Sequence, residues 1–215
     1  MLKRIGKYTV SFLQQPVITG FGSVAGGKEA QGPLGKNFDK IYYDHRAGQK
    51  TFEQAEILFQ QEALVEALSR SGKKAEDIDF VLAGDLLNQC ISSSYGMKEF
   101  RAPYLGQYGA CSTMAQSLFL AAMTVASGAS RCTAAVTSSH FCTAERQYRM
   151  PLEYGGQRTT TAQWTVTGAG GCILEDRGKG VRIAAATTGI ITDLGITDMN
   201  NMGAAMAPAV CIIRP

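Results

Sequence analysis

The sequence predicts an α/β protein with a largely parallel sheet laid around a buried central helix. Three observations predict it. Short apolar runs ending in glycine or a polar residue recur along the chain, at residues 16–22, 79–84 and 133–136, as strands buried on both faces do. Between the first two lies a capped amphipathic helix. Between the second and third lies a segment, 113–125, that is apolar nearly all round, which places that helix inside a core. Strand and helix alternating in this order form a parallel sheet.

Taken in order, Pro16-Val17-Ile18-Thr19-Gly20-Phe21-Gly22 reads as a short strand closed by glycines. The rest of the first fifty residues looks irregular and glycine-rich. A loop is expected from Ala25 to Gln49, long enough to be a flap over a pocket or a docking arm. Thr51-Phe52-Glu53-Gln54 forms a capping box, with a threonine N-cap and glutamine at the third helical position. The helix it opens carries Ile57, Leu64 and Leu68 on one face with Val65 beside them, and Glu62 and Glu66 opposite. Gly72 is its C-terminal stop.

Asp79 to Gly84 reads as a buried parallel strand, with Asp85 at its C-terminal end. No charged residue lies between Arg101 and Arg131. Within that stretch Met114, Leu118, Ala121 and Val125 recur at helical spacing, and the other faces carry Phe119, Leu120, Ala122 and Met123. Gln116, Ser117 and Thr124 interrupt the apolar run, which falls short of the ~20 residues of a membrane span, so a buried central helix is the expectation. Thr133 to Val136 is a further strand leading into Ser138-Ser139-His140. Residues 165–174, with Gly168, Gly170 and Gly171, and the β-branched stretch 181–191 complete the sheet without an intervening helix.

Composition agrees with a globular chain: of 215 residues, 45% are hydrophobic and 18% charged. A net charge of +3 with scattered basic residues excludes a dedicated nucleic-acid binder. The six cysteines, at 90, 111, 132, 142, 172 and 211, show neither a CxxC pair nor a metal-type spacing. Residues 1–10 have no apolar core of a signal peptide, so free thiols in a reducing compartment are expected.

Four motifs bear on chemistry. Tyr108-Gly109-Ala110-Cys111-Ser112-Thr113 puts a cysteine at the start of the apolar helix, where amide N–H groups and the helix dipole favour negative charge. Cys111 is there either as a nucleophile or anion-pocket wall, or as a small residue packing the turn. Ser138-Ser139-His140 ends a parallel strand, where α/β folds place ligands. Its side chains either bind an anionic group or cap a turn beside an exposed histidine. Asp85 has the same two readings. Thr167-Gly168-Ala169-Gly170-Gly171 has dinucleotide-loop glycines, but Cys172-Ile173-Leu174 continues as strand where that motif needs a helix. Nucleotide binding is excluded there.

These features together resemble the thiolase superfamily, ketoacyl synthases included, in which a reactive cysteine starts the buried helix of the N-terminal half as Cys111 does. Within it the chain is similar to the stage V sporulation protein AD family. The stretches that carry this are Gly32-Pro33-Leu34-Gly35, Asp44 to Gly48 with Thr51 to Glu56, Tyr108 to Met114, Ser138 to His140 with Thr143 to Gln147, Glu153-Tyr154-Gly155, and Asn201 to Ala209.

The resemblance implies the N-terminal half, residues 1–209, of a layered αβαβα fold, with 210–215 as a tail unlike the family's continuation. It implies a sporulation protein that binds dipicolinic acid, or its calcium chelate, for uptake into the developing spore without turnover. Membrane proteins encoded beside it are its expected partners, and the inner spore membrane its expected location. No cofactor is expected beyond calcium carried by the ligand. The implied ligand site comprises Cys111 and Ser112 amides, donors from Ser138, Ser139 and His140, and Asp85 acting through calcium or in protonated form. The alternatives are an acyltransferase with Cys111 as nucleophile, and a non-functional fragment. In the condensing enzymes the catalytic histidine and its partner come from the second half, and His45 and His140 are the histidines here. The apolar helix would keep one side uncovered, so association or a homodimer is expected.

Overall fold

The structure is a computed structural model that describes residues 2–148, 164–197, 203, 204 and 206–208. Glu153-Tyr154-Gly155, most of Asn201 to Ala209, and the 210–215 tail lie outside the described residues.

The strand expected at 16–22 is longer than its apolar run: β3 spans Val17–Gly26. Before it, β1 (Leu2–Ile5) and β2 (Thr9–Phe12) form an antiparallel hairpin about Gly6 where the sequence looked irregular. Each strand is only four residues long, too short for alternation to stand out. Phe12 nevertheless anchors the hairpin, being 1% exposed. The long loop after β3 is also more ordered than expected. It holds two 3-10 turns, Glu29–Gln31 and Gly35–Asn37, and the edge strand β4 (Lys40–Tyr42), which pairs parallel with the end of β3. Ion pairs from Lys40 to Glu62 and from Asp39 to Arg70 tie this segment to the next helix.

That helix, α1 (Phe52–Ser71), begins and ends where the capping residues place it: Thr51 Oγ1 accepts from the Gln54 amide, and Gly72 stops it at φ 70°. Its buried stripe differs from the expected one. Ala55, Phe59, Ala63, Leu64, Ala67 and Leu68 are buried together with Glu56 and Gln60, whereas Val65 is 56% exposed. Then follow β5 (Phe80–Gly84), α2 (Ile91–Met97), β6 (Tyr104–Gly106), α3 (Thr113–Ser127), β7 (Cys132–Ser139), α4 (Phe141–Tyr148), β8 (Gly168–Glu175), β9 (Val181–Arg182) and β10 (Ala185–Thr187). Only two short strands occupy 181–191, and Thr188 to Thr197 has no regular structure. The glycine-containing segment 168–175 is strand throughout, as rejecting a nucleotide loop required.

The main sheet runs β4-β3-β8-β7-β5-β6, with β9 on the other end of β3. All members of that path are parallel except β8, which runs against both β3 and β7. The small sheet β1-β2-β10 stands apart. Alternate residues of the central strands point to opposite faces. Val81, Ala83, Ala134, Val136 and Ile173 pack under α1 and α2, and Leu82, Ala135 and Leu174 pack under α3 with Phe12. The fold is therefore helix, sheet, helix. Glycine is required where α1 crosses the sheet: a Cβ on Gly22 would lie 2.2 Å from the Ala63 carbonyl oxygen, and one on Gly20 2.0 Å from that of Ala67.

α3 departs from burial on all sides. Ser117, Ala121, Ala122, Val125 and Ala126 face the sheet, while Met114, Leu118, Phe119, Leu120 and Met123 are only half-buried. Residues 110–127 are the one described helical segment with the length and composition of a membrane span, and here that segment packs on β5 and β7.

Candidate functional site

Because β3, β5 and β7 are parallel and β8 is reversed, the ends of the first three and the start of the fourth meet at one edge of the sheet. A cavity of about 960 Å³ opens there. Its walls are Val24 and Ala25 from β3, Ser138 and Ser139 from β7, Thr165 to Gly170 leading into β8, and Cys111, Thr113 and Met114 at the start of α3. Nothing would oppose a Cβ on Gly170, which faces this open space. Ligand sites in open α/β sheets form at such strand ends.

Cys111 is exposed and stands in the cavity wall. It lies in the 3-10 turn Ala110–Ser112 that runs into α3. Ala110 is held at φ 47°, an uncommon conformation for a residue with a Cβ. The turn is locked by its own hydrogen bonds: Thr113 Oγ1 accepts from the Gly109 amide and donates to the Ala110 carbonyl. Ser112 spends both its amide and its hydroxyl on the Gly109 carbonyl, at 3.0 and 2.7 Å, and it is not part of the cavity wall. The other thiols among the described residues are less exposed than Cys111. Cys90 and Cys132 are buried, and burial pushes the Cys132 and Cys172 thiols up, to about 12 and about 11.

Ser138 and Ser139 reach the cavity; His140 does not. The imidazole is fully buried between the rings of Phe52 and Phe59. Its Nε2 donates to the His45 carbonyl at 2.7 Å and its Nδ1 accepts from the Cys142 amide at 3.2 Å. Both nitrogens are occupied, and burial holds the imidazole below its usual range. The expectation of His140 as a ligand donor is thus replaced by a neutral, structural histidine that starts α4. Asp85 also lies away from the cavity wall. It is 1% exposed and accepts from the Leu87 amide at 2.8 Å and from the Ser93 amide and hydroxyl, both at 2.7 Å. This is the turn-forming reading of Asp85, because its acceptor positions are filled by the chain that leads into α2.

Behind the cavity lies a polar network that sequence reasoning did not find. Glu56, 0% exposed, accepts from Ser138 Oγ at 2.7 Å and from Thr143 Oγ1 at 3.1 Å. Gln60, one turn on, donates to Ser138 Oγ at 2.6 Å and Ser93 Oγ at 2.9 Å, which links the network to Asp85. Burial raises the Glu56 carboxyl to about 7, the Ser138 hydrogen bond pulls it down, and the Asp85 charge pushes it up again. The available signal was positional: Glu56 and Gln60 sit at i and i+4 on the stripe continued by Ala63 and Ala67.

Glu29 is the other acidic group the sequence did not single out. It is the one charged side chain among the described residues of the cavity wall. Its Oε1 accepts from the Thr167 amide at 3.1 Å, while Oε2 is buried without a hydrogen-bond partner. A second, smaller hollow of about 180 Å³ beside it is lined by Lys28, His45, Phe141, Cys142 and Trp164.

Comparison with known proteins agrees with this architecture. The family model of stage V sporulation protein AD matches residues 6–213. Stage V sporulation protein AD of Bacillus subtilis (strain 168) is 43% identical over 208 residues, which cover 97% of this chain and 62% of that protein. The chain thus spans less than two thirds of that relative. Among solved structures, similarity extends to the priming β-ketosynthase of the R1128 polyketide pathway (TM-score 0.50, 18% identity, 80% of this chain and 52% of that one). It extends also to a variant of OleA from Xanthomonas campestris (0.51, 14%, 77% and 57%) and to 3-oxoacyl-(acyl carrier protein) synthase III of Pseudomonas aeruginosa PAO1 (0.50, 16%, 77% and 51%). At such identities these neighbours establish a thiolase-like fold and nothing about activity. With residues 6–213 of its 215 matched by the family model, the chain belongs to the stage V sporulation protein AD family.

Proposed function

We propose that this chain binds dipicolinic acid, or its calcium chelate, without turning it over, and that it serves uptake of the ligand into the developing spore. The observation that carries this reading is the cavity at the strand ends, with exposed Cys111 in its wall and His140 sealed outside it. A nucleophilic cysteine is activated by an adjacent base or by a lowered pKa, and His140 cannot serve as that base because both its ring nitrogens are committed. The cavity is large enough for a planar aromatic dicarboxylate. Glu29, with one carboxylate oxygen buried and unpartnered, favours a ligand that arrives with its cation, since calcium takes carboxylate oxygens readily.

In this reading binding takes place at the inner spore membrane, with membrane proteins of the same operon as partners. The half-buried face of α3 is the surface through which a second copy or another chain associates.

The exposed thiol of Cys111 favours one other reading, acyl transfer with Cys111 as nucleophile. Calorimetric titration with dipicolinate, with and without calcium, separates the two. Saturable binding that Cys111→Ala weakens at least threefold while His140→Ala acts mainly on stability supports the binding protein. Absence of binding by the folded chain, together with acyl loading of Cys111 from a thioester, would replace it with the enzyme.

A further inference from the structure

The two hydroxyls expected to hold an anion are already committed. Ser139 Oγ donates to the Val166 carbonyl at 2.6 Å. Ser138 Oγ gives its one hydrogen to Glu56 Oε1 at 2.7 Å and receives an N–H of Gln60 at 2.6 Å. A hydroxyl has one donor and two lone pairs. With Glu56 ionised, Ser138 therefore has only a lone pair left for the cavity, and a lone pair repels a carboxylate. With Glu56 protonated, the carboxylic acid itself donates to Ser138 Oγ, and the serine hydrogen is free to turn toward the ligand.

We propose that Glu56 is a positioning residue for the cavity, exchanging one proton to decide whether Ser138 offers an anionic ligand a hydrogen or a lone pair. This rests on the reading of the cavity as a dicarboxylate site and names the proton that accompanies binding.

The surroundings of Glu56 suit such an exchange. From β5 and α2 the buried Asp85 faces it, bonded to Ser93. From the start of α4 come the Thr143 hydroxyl, the neutral His140, the Cys142 thiol, which burial pushes up, and Glu145, whose Oε1 accepts from Thr165. On α1 itself Glu53 is paired with Arg146 of α4. No cation among these groups bonds the Glu56 carboxyl, so its charge is held only by hydroxyl donors. A carboxyl buried this way titrates near neutrality, and an anion accepting the Ser138 hydrogen stabilises its protonated form further. By linkage, ligand affinity then rises as the proton is taken up.

The test is titration of the chain with calcium-free dipicolinate from about pH 6 to about pH 9, in buffers of different ionisation enthalpy that count protons. Wild-type affinity is expected to fall by up to tenfold for each unit above about pH 7, with uptake of about one proton per ligand. Glu56→Gln, whose amide N–H donates to Ser138 at every pH, is expected to bind with the low-pH affinity and no slope. A wild-type affinity flat over this range, or a slope that persists in Glu56→Gln, overturns the assignment to Glu56 while leaving the dicarboxylate reading in place. The same titrations repeated with calcium carry the test where only the chelate binds, and absence of wild-type binding at every pH under both conditions overturns both. Since Glu56→Gln removes a core carboxylate, the infrared carboxyl band that it deletes from the wild-type spectrum gives a second readout. That band is expected to grow when dipicolinate is added at about pH 8, and a band that does not respond counts against the coupling.

Discussion

Replacing Glu56 by glutamine is expected to change the pH dependence of stability in a direction opposite to that of removing a carboxylate paired with a cation. In the folded chain the group is raised from 4.5 to about 7, chiefly by burial. The native state therefore holds a proton that the unfolded chain has lost over that interval. Stability contributed by the neutral carboxyl is fully present below 4.5 and declines as pH rises to about 7. Above that, the buried charge costs on the order of 3 kcal/mol, from about 1.4 kcal/mol per pH unit. Glutamine has nearly the same shape and cannot ionise. Urea unfolding of both proteins at about pH 5 and about pH 8 should show the variant gaining on the wild type by roughly 2–3 kcal/mol between the two. Taking the difference between the curves removes other titrating groups, including His140. Burial holds His140 low, so its stabilising effect is lost as pH falls below 6.5. A difference independent of pH, or one that grows toward acid, would refute the reasoning about Glu56.

Two further expectations follow from packing. Gly22→Ala places a methyl 2.2 Å from the Ala63 carbonyl oxygen. That contact cannot be relieved without lifting α1 from the sheet, so a loss of about 3 kcal/mol is expected in urea unfolding; a neutral substitution would show the crossing to be looser than drawn. On the proposed association through the half-buried face of α3 that carries Leu118, Phe119, Leu120 and Met123, sedimentation should give dimers or larger species that Phe119→Lys shifts toward monomer, and a clean wild-type monomer would contradict this proposal.

Local chemistry carried much of the fold. Thr51 and Gly72 bound α1 because capping depends on residues within a turn of each end, and the apolar runs at 80–84 and 132–139 became strands because both faces of each are covered. The edge strand β4 and the hairpin β1-β2 were not legible: strands of three and four residues owe their stability to neighbours in the sheet. The sequence puts Val65 beside the apolar face and gives Glu56 no place on it, whereas Glu56 is buried and Val65 exposed. Which side of α1 meets the sheet is decided where Gly20, Gly22 and Gly171 let the helix approach closely.

The candidate site divides along the same line. Cys111 was legible because its position rests on a local turn at a helix start. Ser138 and Ser139 were legible as the end of a parallel strand. Ser112, His140 and Asp85 have suitable chemistry, but Ser112 is spent on Gly109 within its own turn, Asp85 on the chain entering α2, and His140 on the distant His45 carbonyl, a partner that only the fold supplies. By itself the sequence determined the α/β class, the capped helix, the family and the cysteine at the start of α3, because each rests on spacing within one element or one stretch. Only the tertiary structure decided which polar groups face the cavity and which are spent inside the core. That outcome depends on strands far apart in the chain meeting edge to edge, which leaves Ser138 between Glu56 and an open cavity.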